Sequence, residues 1–190
     1  MINRAFFFEN AKKHLFNGKL KQSPVDGMNA ILDEWEKNYA DEDDRWLAYM
    51  LATTHHETDR RMQPIEEYGK GKNRPYGQNL KMNRSRYSDT TNLFYGRGFV
   101  QITWYENYEK AGNKLNVNLI KKPERALELT IATKIMFLGM MEGWFTGKKL
   151  SNYFNDDSGD VYNARRIING TDKASLISDY AFDYYGSISY

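Results

Sequence analysis

YGRGFVQITWYENY, residues 95–108, is the stretch from which the rest of the chain is read. Gly96 and Gly98 flank Arg97, and glycine lets a backbone turn tightly and approach another segment or a ligand closely. The stretch predicts a turn at Tyr95–Gly98 entering a helix from about Phe99 or Thr103. A G-x-G step alone is common. Here it is followed by Gln101, Thr103 and Asn107-Tyr108, and that company makes it specific.

Upstream lies HHET at 55–58 and downstream ARRIING at 164–170. Glu57 comes at or just beyond the end of a predicted helix running from Arg45 to about His56. The acidic flank Asp41–Asp44 complements the macrodipole at that helix's start. Trp46, Leu47, Met50, Leu51 and Thr54 supply its buried side, and Pro64 forbids simple continuation. Taken in order, the three motifs resemble the catalytic domain of glycoside hydrolase family 19, which holds plant and bacterial chitinases and many phage endolysins. The resemblance covers about residues 46–180. It implies a mainly α, lysozyme-like, two-lobed domain with a small β excursion, acting on an N-acetyl-sugar polymer with inversion at the cut.

Cleaving a glycosidic bond takes two carboxyls, one to protonate the leaving oxygen and one to activate water or attack the sugar. The resemblance places the acid at Glu57. An apolar helix ending there is expected to leave that carboxyl partly desolvated, which favours its protonated form. The second carboxyl is Glu66 or Glu67 in MQPIEEYG. An extended chain after Pro64 would put Ile65 and Glu67 on one face and Glu66 on the other. That alternation and the phage relatives both favour Glu67, with Glu66 the alternative; the bland reading pairs both with nearby bases. The resemblance further implies that Thr103 helps hold the attacking water and that His56, Tyr95, Gln101, Asn107 and Asn169 contact substrate. Where plant relatives often carry Tyr, this chain has Glu106. Arg97 is expected as a structural clasp on a carboxyl near the site. Arg165 and Arg166 are read equally well as ordinary surface bases.

His55-His56-Glu57 also invites a zinc reading. The residue four after His56 is Arg60, so HExxH is absent, and adjacent histidines point to different sides of a helix. No metal and no cofactor is expected. One of the two histidines is expected to buttress Glu57 by a hydrogen bond, as the resemblance implies.

The 190 residues fit one catalytic domain, 1–190, in which a helical N-terminal arm (residues 1–40) packs on a hydrolase core (residues 41–190). A net charge of +2 carries no nucleic-acid signature. Charge is uneven, however: Asp59–Arg86 holds eight bases against three acids. That is either a solvated loop or a lure for an anionic polymer at the cleft mouth. Peptidoglycan carries carboxylates and chitin does not. The chain has no Cys, which excludes disulfides and thiolate zinc sites and fits folding in a reducing cytosol. Its first residues lack a signal-peptide core, and no stretch is apolar enough for a membrane span. The expectation is a monomeric phage-type endolysin, made in the host cytoplasm and reaching peptidoglycan after holin action or lysis. A chitinase is the alternative, and an inactive wall-binding protein on the same fold is the non-enzyme alternative.

The helix pattern extends both ways from these motifs. Two helices are predicted in the first 40 residues, the second presenting Val25, Met28, Leu32 and Trp35 on one face. The β excursion is expected near 62–80, one long buried helix over Pro123–Trp144, and two closing helices at 160–169 and 173–185.

Overall fold

The computed structural model describes residues 1–190. Six α-helices carry the fold: α1 (Arg4–His14), α2 (Gln22–Asn38), α3 (Asp44–Glu57), α4 (Tyr105–Leu115), α5 (Leu129–Glu142) and α6 (Ala174–Tyr185). Two strand pairs of two residues each complete it. Antiparallel β1 (Ile65–Glu66) and β2 (Arg97–Gly98) form one, and β3 (Phe154–Asn155) with β4 (Ser158–Gly159) the other. The chain is mainly α. No helix is long and apolar enough to cross a membrane.

Helix α3 is the axis. The Asp43 side chain accepts from the Arg45 N–H at 2.9 Å and caps its start, as Asx residues do at helix N-termini. Every residue from Leu47 to His55 is buried, so the helix is enclosed on all sides rather than along one stripe. Its end is closed by Thr58, whose hydroxyl donates to the Thr54 carbonyl at 2.7 Å and accepts from the Met62 N–H at 3.0 Å. That closure holds Glu57 at a fixed height above the core. Forty buried residues, from Ile2 in the N-terminal arm to Tyr184 in α6, form one continuous core around α3.

Helix α2 approaches the segment after α3 closely. A Cβ added at Gly27 would sit 1.5 Å from the Met62 carbonyl oxygen, so backbone must move to admit it. Gly27→Ala should therefore lower the unfolding free energy by about 1–3 kcal/mol, the usual cost of overpacking, despite alanine's better helix propensity. Chemical denaturation of the two chains measures the difference; an unchanged midpoint would show that α2 can shift freely.

Several boundaries differ from the sequence expectation, each for a local reason. Helix α4 starts at Tyr105, not at Phe99 or Thr103, because Gln101 (φ 51°) and Trp104 (φ 73°) adopt left-handed backbone that no α-helix accommodates. The expected long helix over Pro123–Trp144 is two elements, a 3₁₀ turn at Pro123–Leu127 and α5. Extended Glu128 separates them, and Gly143 in the left-handed region closes the second. The closing segment 160–169 is a 3₁₀ turn, Asn163–Ile167, rather than a helix. Strand β1 lies in the expected window, but its partner comes from the Arg97–Gly98 turn 32 residues on. The β3–β4 hairpin had no counterpart in the sequence reading; the Arg45 guanidinium holds it by donating to the carbonyls of Ser158 (3.1 Å) and Asn155 (2.9 Å).

Candidate active site

A cleft of about 910 Å³ is walled by the end of α3, by Glu67 and Gly96 beside the β1–β2 pair, by residues 100–104 and the start of α4, and by the loops at 145–148 and 166–170. Glu57, Glu67, Gln101, Thr103, Asn107 and Asn169 all line it. Six of the sequence-predicted residues, drawn from four separate stretches of chain, therefore meet in one place.

Glu57 is 16% exposed and its Oε1 accepts from Arg165 Nη1 at 2.6 Å. Arg165 is itself 5% exposed and donates through Nε to the Asp172 carbonyl at 3.1 Å. The carboxyl is largely removed from solvent, but its partner is an arginine rather than the expected histidine: Glu57 is half of a largely buried ion pair. Removing one partner of such a pair leaves an uncompensated charge, typically a loss of about 3–5 kcal/mol. Arg165 and Arg166, which the sequence leaves open between a site role and ordinary surface bases, divide the work. Arg165 is buried under Glu57, while Arg166 is exposed and lines the cleft.

Glu67 and Glu66 diverge as strand alternation requires. Glu67 faces the cleft, with Oε1 accepting from the Tyr76 hydroxyl and Oε2 from the Gly96 N–H, both at 3.0 Å. Burial and that bond to Glu67 push the Tyr76 hydroxyl up to about 12, so it remains a donor. Gly96 is needed here: a Cβ would lie 2.9 Å from Gln101 Oε1 and 3.2 Å from the Glu67 Cβ. Glu66 turns away and is absent from the cleft wall. Its Oε1 accepts from the Tyr95 hydroxyl at 2.8 Å and lies 3.5 Å from Arg97 Nε, and Lys70 pairs with Oε2 at 3.3 Å. The bond from Tyr95, helped by Lys70 and Arg97, holds the Glu66 carboxyl below the usual carboxylate range.

Tyr95 belongs to that clasp and not to the cleft wall, a correction to its expected substrate contact. Its ring carries the Arg97 guanidinium 3.6 Å from the centroid, and Arg97 Nη1 donates to the Leu93 carbonyl and the Tyr108 hydroxyl. The 95–98 turn is thus braced from behind by a buried arginine sandwiched between tyrosines. Gln101 Nε2 donates to the carbonyls of Ile65 (2.9 Å) and Gly98 (3.1 Å), tying the turn to β1. Asn107 Nδ2 donates to the Thr103 carbonyl at 2.9 Å. Glu106 accepts from the Met82 N–H at 2.9 Å and anchors the 78–86 loop to α4.

Neither histidine buttresses Glu57. His56 is half-buried beside Glu57 and Arg165 without lining the cleft, and burial lowers its pKa. His55 lies in the core among Phe16, Tyr180 and Tyr184, with Nδ1 3.0 Å from the Tyr184 hydroxyl. Its Nε2 is buried without a hydrogen-bond partner. Burial lowers its pKa to about 4, against about 6.5 unfolded. The folded chain keeps this imidazole neutral while the unfolded chain protonates it below pH 6.5. Its stabilisation is therefore full above pH 6.5 and drains away as pH falls toward 4, by about 3 kcal/mol in all. His55→Phe should flatten the unfolding free energy across that window; an unaltered slope would mean that carboxylates alone set acid sensitivity.

Sequence reasoning missed Tyr76, Trp104, Phe145, Thr146, Lys148 and Arg166 on the cleft wall. Trp104 stood in the deciding stretch, and its aromatic ring was the available signal. Lys148 carried none, because a basic loop residue is usually a solvated one. Half of the eight bases in the run at 59–86 are occupied: Lys70 pairs with Glu66, Arg61 donates to the Tyr68 hydroxyl, and Lys81 and Arg84 lie over Tyr105 and Trp104. Arg60, Lys72, Arg74 and Arg86 remain as exposed charges.

No group of three or more His, Asp or Glu side chains is arranged to hold a metal. Two carboxyls from different elements facing one cleft of a helical fold are the parts that glycosidic hydrolysis calls for. Residues 37–152 match the chitinase class I family, and the chain belongs to this family, glycoside hydrolase family 19. It is 32% identical over 101 residues to Endochitinase CHI of Arabidopsis thaliana, a match over 50% of this chain and 34% of that protein. The chain thus spans about a third of the length of that relative. Chitinase C from Streptomyces griseus HUT6037 superposes with a TM-score of 0.61 at 22% identity, covering 96% of this chain and 88% of that one. The class IV chitinase from Zea mays gives 0.59 at 18% identity, over 97% and 91%. At these identities the two structures speak for the lysozyme-like fold.

Proposed function

We propose that this chain hydrolyses glycosidic bonds of an N-acetyl-sugar polymer, with Glu57 as general acid and Glu67 as the carboxylate that activates water. The observation that carries this is the convergence of Glu57 and Glu67 on one cleft while Glu66 is tied up outside it. Each Glu67 oxygen holds one protein donor and keeps a lone pair for water. Thr103 lines the same wall and offers a hydroxyl to that water. Inversion requires the carboxyls about 6.5–9.5 Å apart, with water between them. For Glu57 to donate, it has to be protonated as the sugar enters, so the ionic attraction to Arg165 is given up while the carbonyl oxygen can still accept from the guanidinium. Gln101, Asn107 and Asn169 line the path of the sugar amides and hydroxyls.

The finer reading is peptidoglycan, in the manner of a phage endolysin that meets the wall after holin action. Lys148 and Arg166 on the cleft wall, with exposed Lys72 and Arg74 nearby in sequence to Glu67, suit a strand bearing peptide carboxylates. Chitin is the second reading, favoured by the chitinase names of the relatives. Digestion of purified peptidoglycan, with mass spectrometry of the new reducing ends, tests the first. N-acetylmuramic ends mean a muramidase, N-acetylglucosamine ends a glucosaminidase. Cleavage of chitin alone would promote the second reading, and turnover of neither would leave an inactive binding protein. Lys72→Gln with Arg74→Gln should weaken action on peptidoglycan through substrate capture, and the wild-type advantage should shrink as salt rises, since the Debye length is only about 8 Å at physiological ionic strength. A neutral chitin oligomer should barely respond; equal loss on both substrates would assign the loop a structural role.

A further inference from the structure

The molecule carries a second concave surface at the opposite end of α3 from Glu57. Arg45 and Glu57 are twelve residues apart on one helix, about 18 Å at 1.5 Å per residue. Around Arg45, the β3–β4 hairpin and the outer face of α6 enclose an apolar cavity of about 120 Å³. Ala48, Phe154, Val161, Ala181, Phe182 and Tyr185 line it. A shallower groove of about 410 Å³ continues from Phe182 past Tyr162, Ser175 and Asp179. Three aromatic side chains stand exposed along this surface: Phe182 at 62%, Tyr185 at 50% and Tyr162 at 48%. Phe182 and Tyr185 follow Ser175 and Asp179 along α6 at helical spacing, so two polar groups lead into two rings along one face.

We propose that this groove is a second glycan-binding site, taking an N-acetylhexosamine strand of the polymer that the cleft is proposed to cut; to that extent it rests on the proposed function. Aromatic faces suit the apolar side of a sugar ring and leave its hydroxyls to neighbouring acceptors. Ser175 and Asp179, both exposed, supply those acceptors beside Phe182. The apolar cavity between Phe182 and Tyr185 is large enough for the methyl of an acetamido group. Charge argues for a neutral portion of the strand. The one cation on the cavity wall, Arg45, is committed to the Asp43 carboxylate and to the carbonyls of Ser158 and Asn155. Asp179 would meanwhile repel an anion. A second protein chain is a poor occupant: three half-exposed rings offer roughly 300 Å², against about 800 Å² per partner in a standard interface. Asp160–Gly170 links the two sites, its first residues edging the groove and its last lining the cleft. A strand held in the groove is thereby kept near the carboxyls between cuts.

The test uses the full chain carrying Glu57→Gln, so that polymer survives the measurement, and reads its retention on insoluble chitin and on purified peptidoglycan. Adding Tyr162→Ala, Phe182→Ala and Tyr185→Ala should weaken retention about tenfold or more, as expected for losing three partly exposed ring contacts. Phe182→Trp with Tyr185→Trp should retain the polymer, because the ring faces remain. In the otherwise wild-type chain the triple alanine variant should cut a short soluble oligomer at the normal rate and the insoluble polymer more slowly. Unchanged retention in the triple variant overturns the groove, and so does an equal loss on the soluble oligomer. If the wild-type chain cuts no glycan, the hydrolase reading fails, while retention of these variants still decides the groove.

Discussion

Glu57→Gln should leave the fold intact and lower turnover on the glycan polymer by at least about 10²–10⁴-fold, the usual contribution of a positioned general acid. The amide matches the carboxyl in volume and still accepts from Arg165 through its carbonyl oxygen, so the wall around Arg165 stays closed. What it lacks is a proton to give the leaving oxygen. Arg165 makes this substitution more informative than it is at an isolated carboxyl. A structural role for Glu57 would appear as lost stability, because Arg165 is buried and would forfeit its counter-charge. A lowered melting temperature in a chain that still folds, together with a collapse in turnover, is the expected pattern. Clearing of a wall suspension at near wild-type rate would remove Glu57 from the mechanism.

The second large effect separates two adjacent glutamates. Glu67→Gln should reduce turnover by about 10²-fold or more with little change in melting temperature, since Gln can keep the Tyr76 and Gly96 contacts but is a far weaker base. Glu66→Gln should do the reverse. It weakens the clasp on Tyr95, Arg97 and Lys70 that braces the 95–98 turn, and should lower stability while leaving turnover largely in place. A dead but stable Glu66→Gln chain would move the base one residue upstream. Full activity in both variants would mean that the second carboxyl lies elsewhere.

Much of this arrangement was legible in the sequence because it depends on short-range rules. Alternation after Pro64 separated Glu66 from Glu67, and the acidic flank and apolar run marked α3. The missing HExxH spacing argued against a zinc site. What remained hidden depends on contacts between distant segments. Arg165 meets Glu57 across 108 residues, and nothing local distinguishes it from Arg166, its exposed neighbour. The left-handed backbone at Gln101 and Trp104, which delays α4, falls on residues that ordinarily avoid it. His55 and His56 look alike in sequence, yet one lies in the core and the other beside the ion pair, because successive side chains on a helix point about 100° apart. The place of Tyr95 was hidden for the same reason, and so were the contacts within the basic run: their partners, Glu66, Tyr68, Tyr105 and Trp104, are set by the fold.

The central claim is that Glu57 delivers a proton to the leaving oxygen, and one comparison tests it most directly. Glu57→Gln is assayed on an N-acetylglucosamine oligomer and on the matching aryl glycoside whose strongly acidic phenol departs without protonation. If Glu57 is the acid, the variant should fail on the oligomer and recover most of its turnover on the aryl glycoside. An equal loss on both substrates would contradict that role and make Glu57 a structural partner of Arg165.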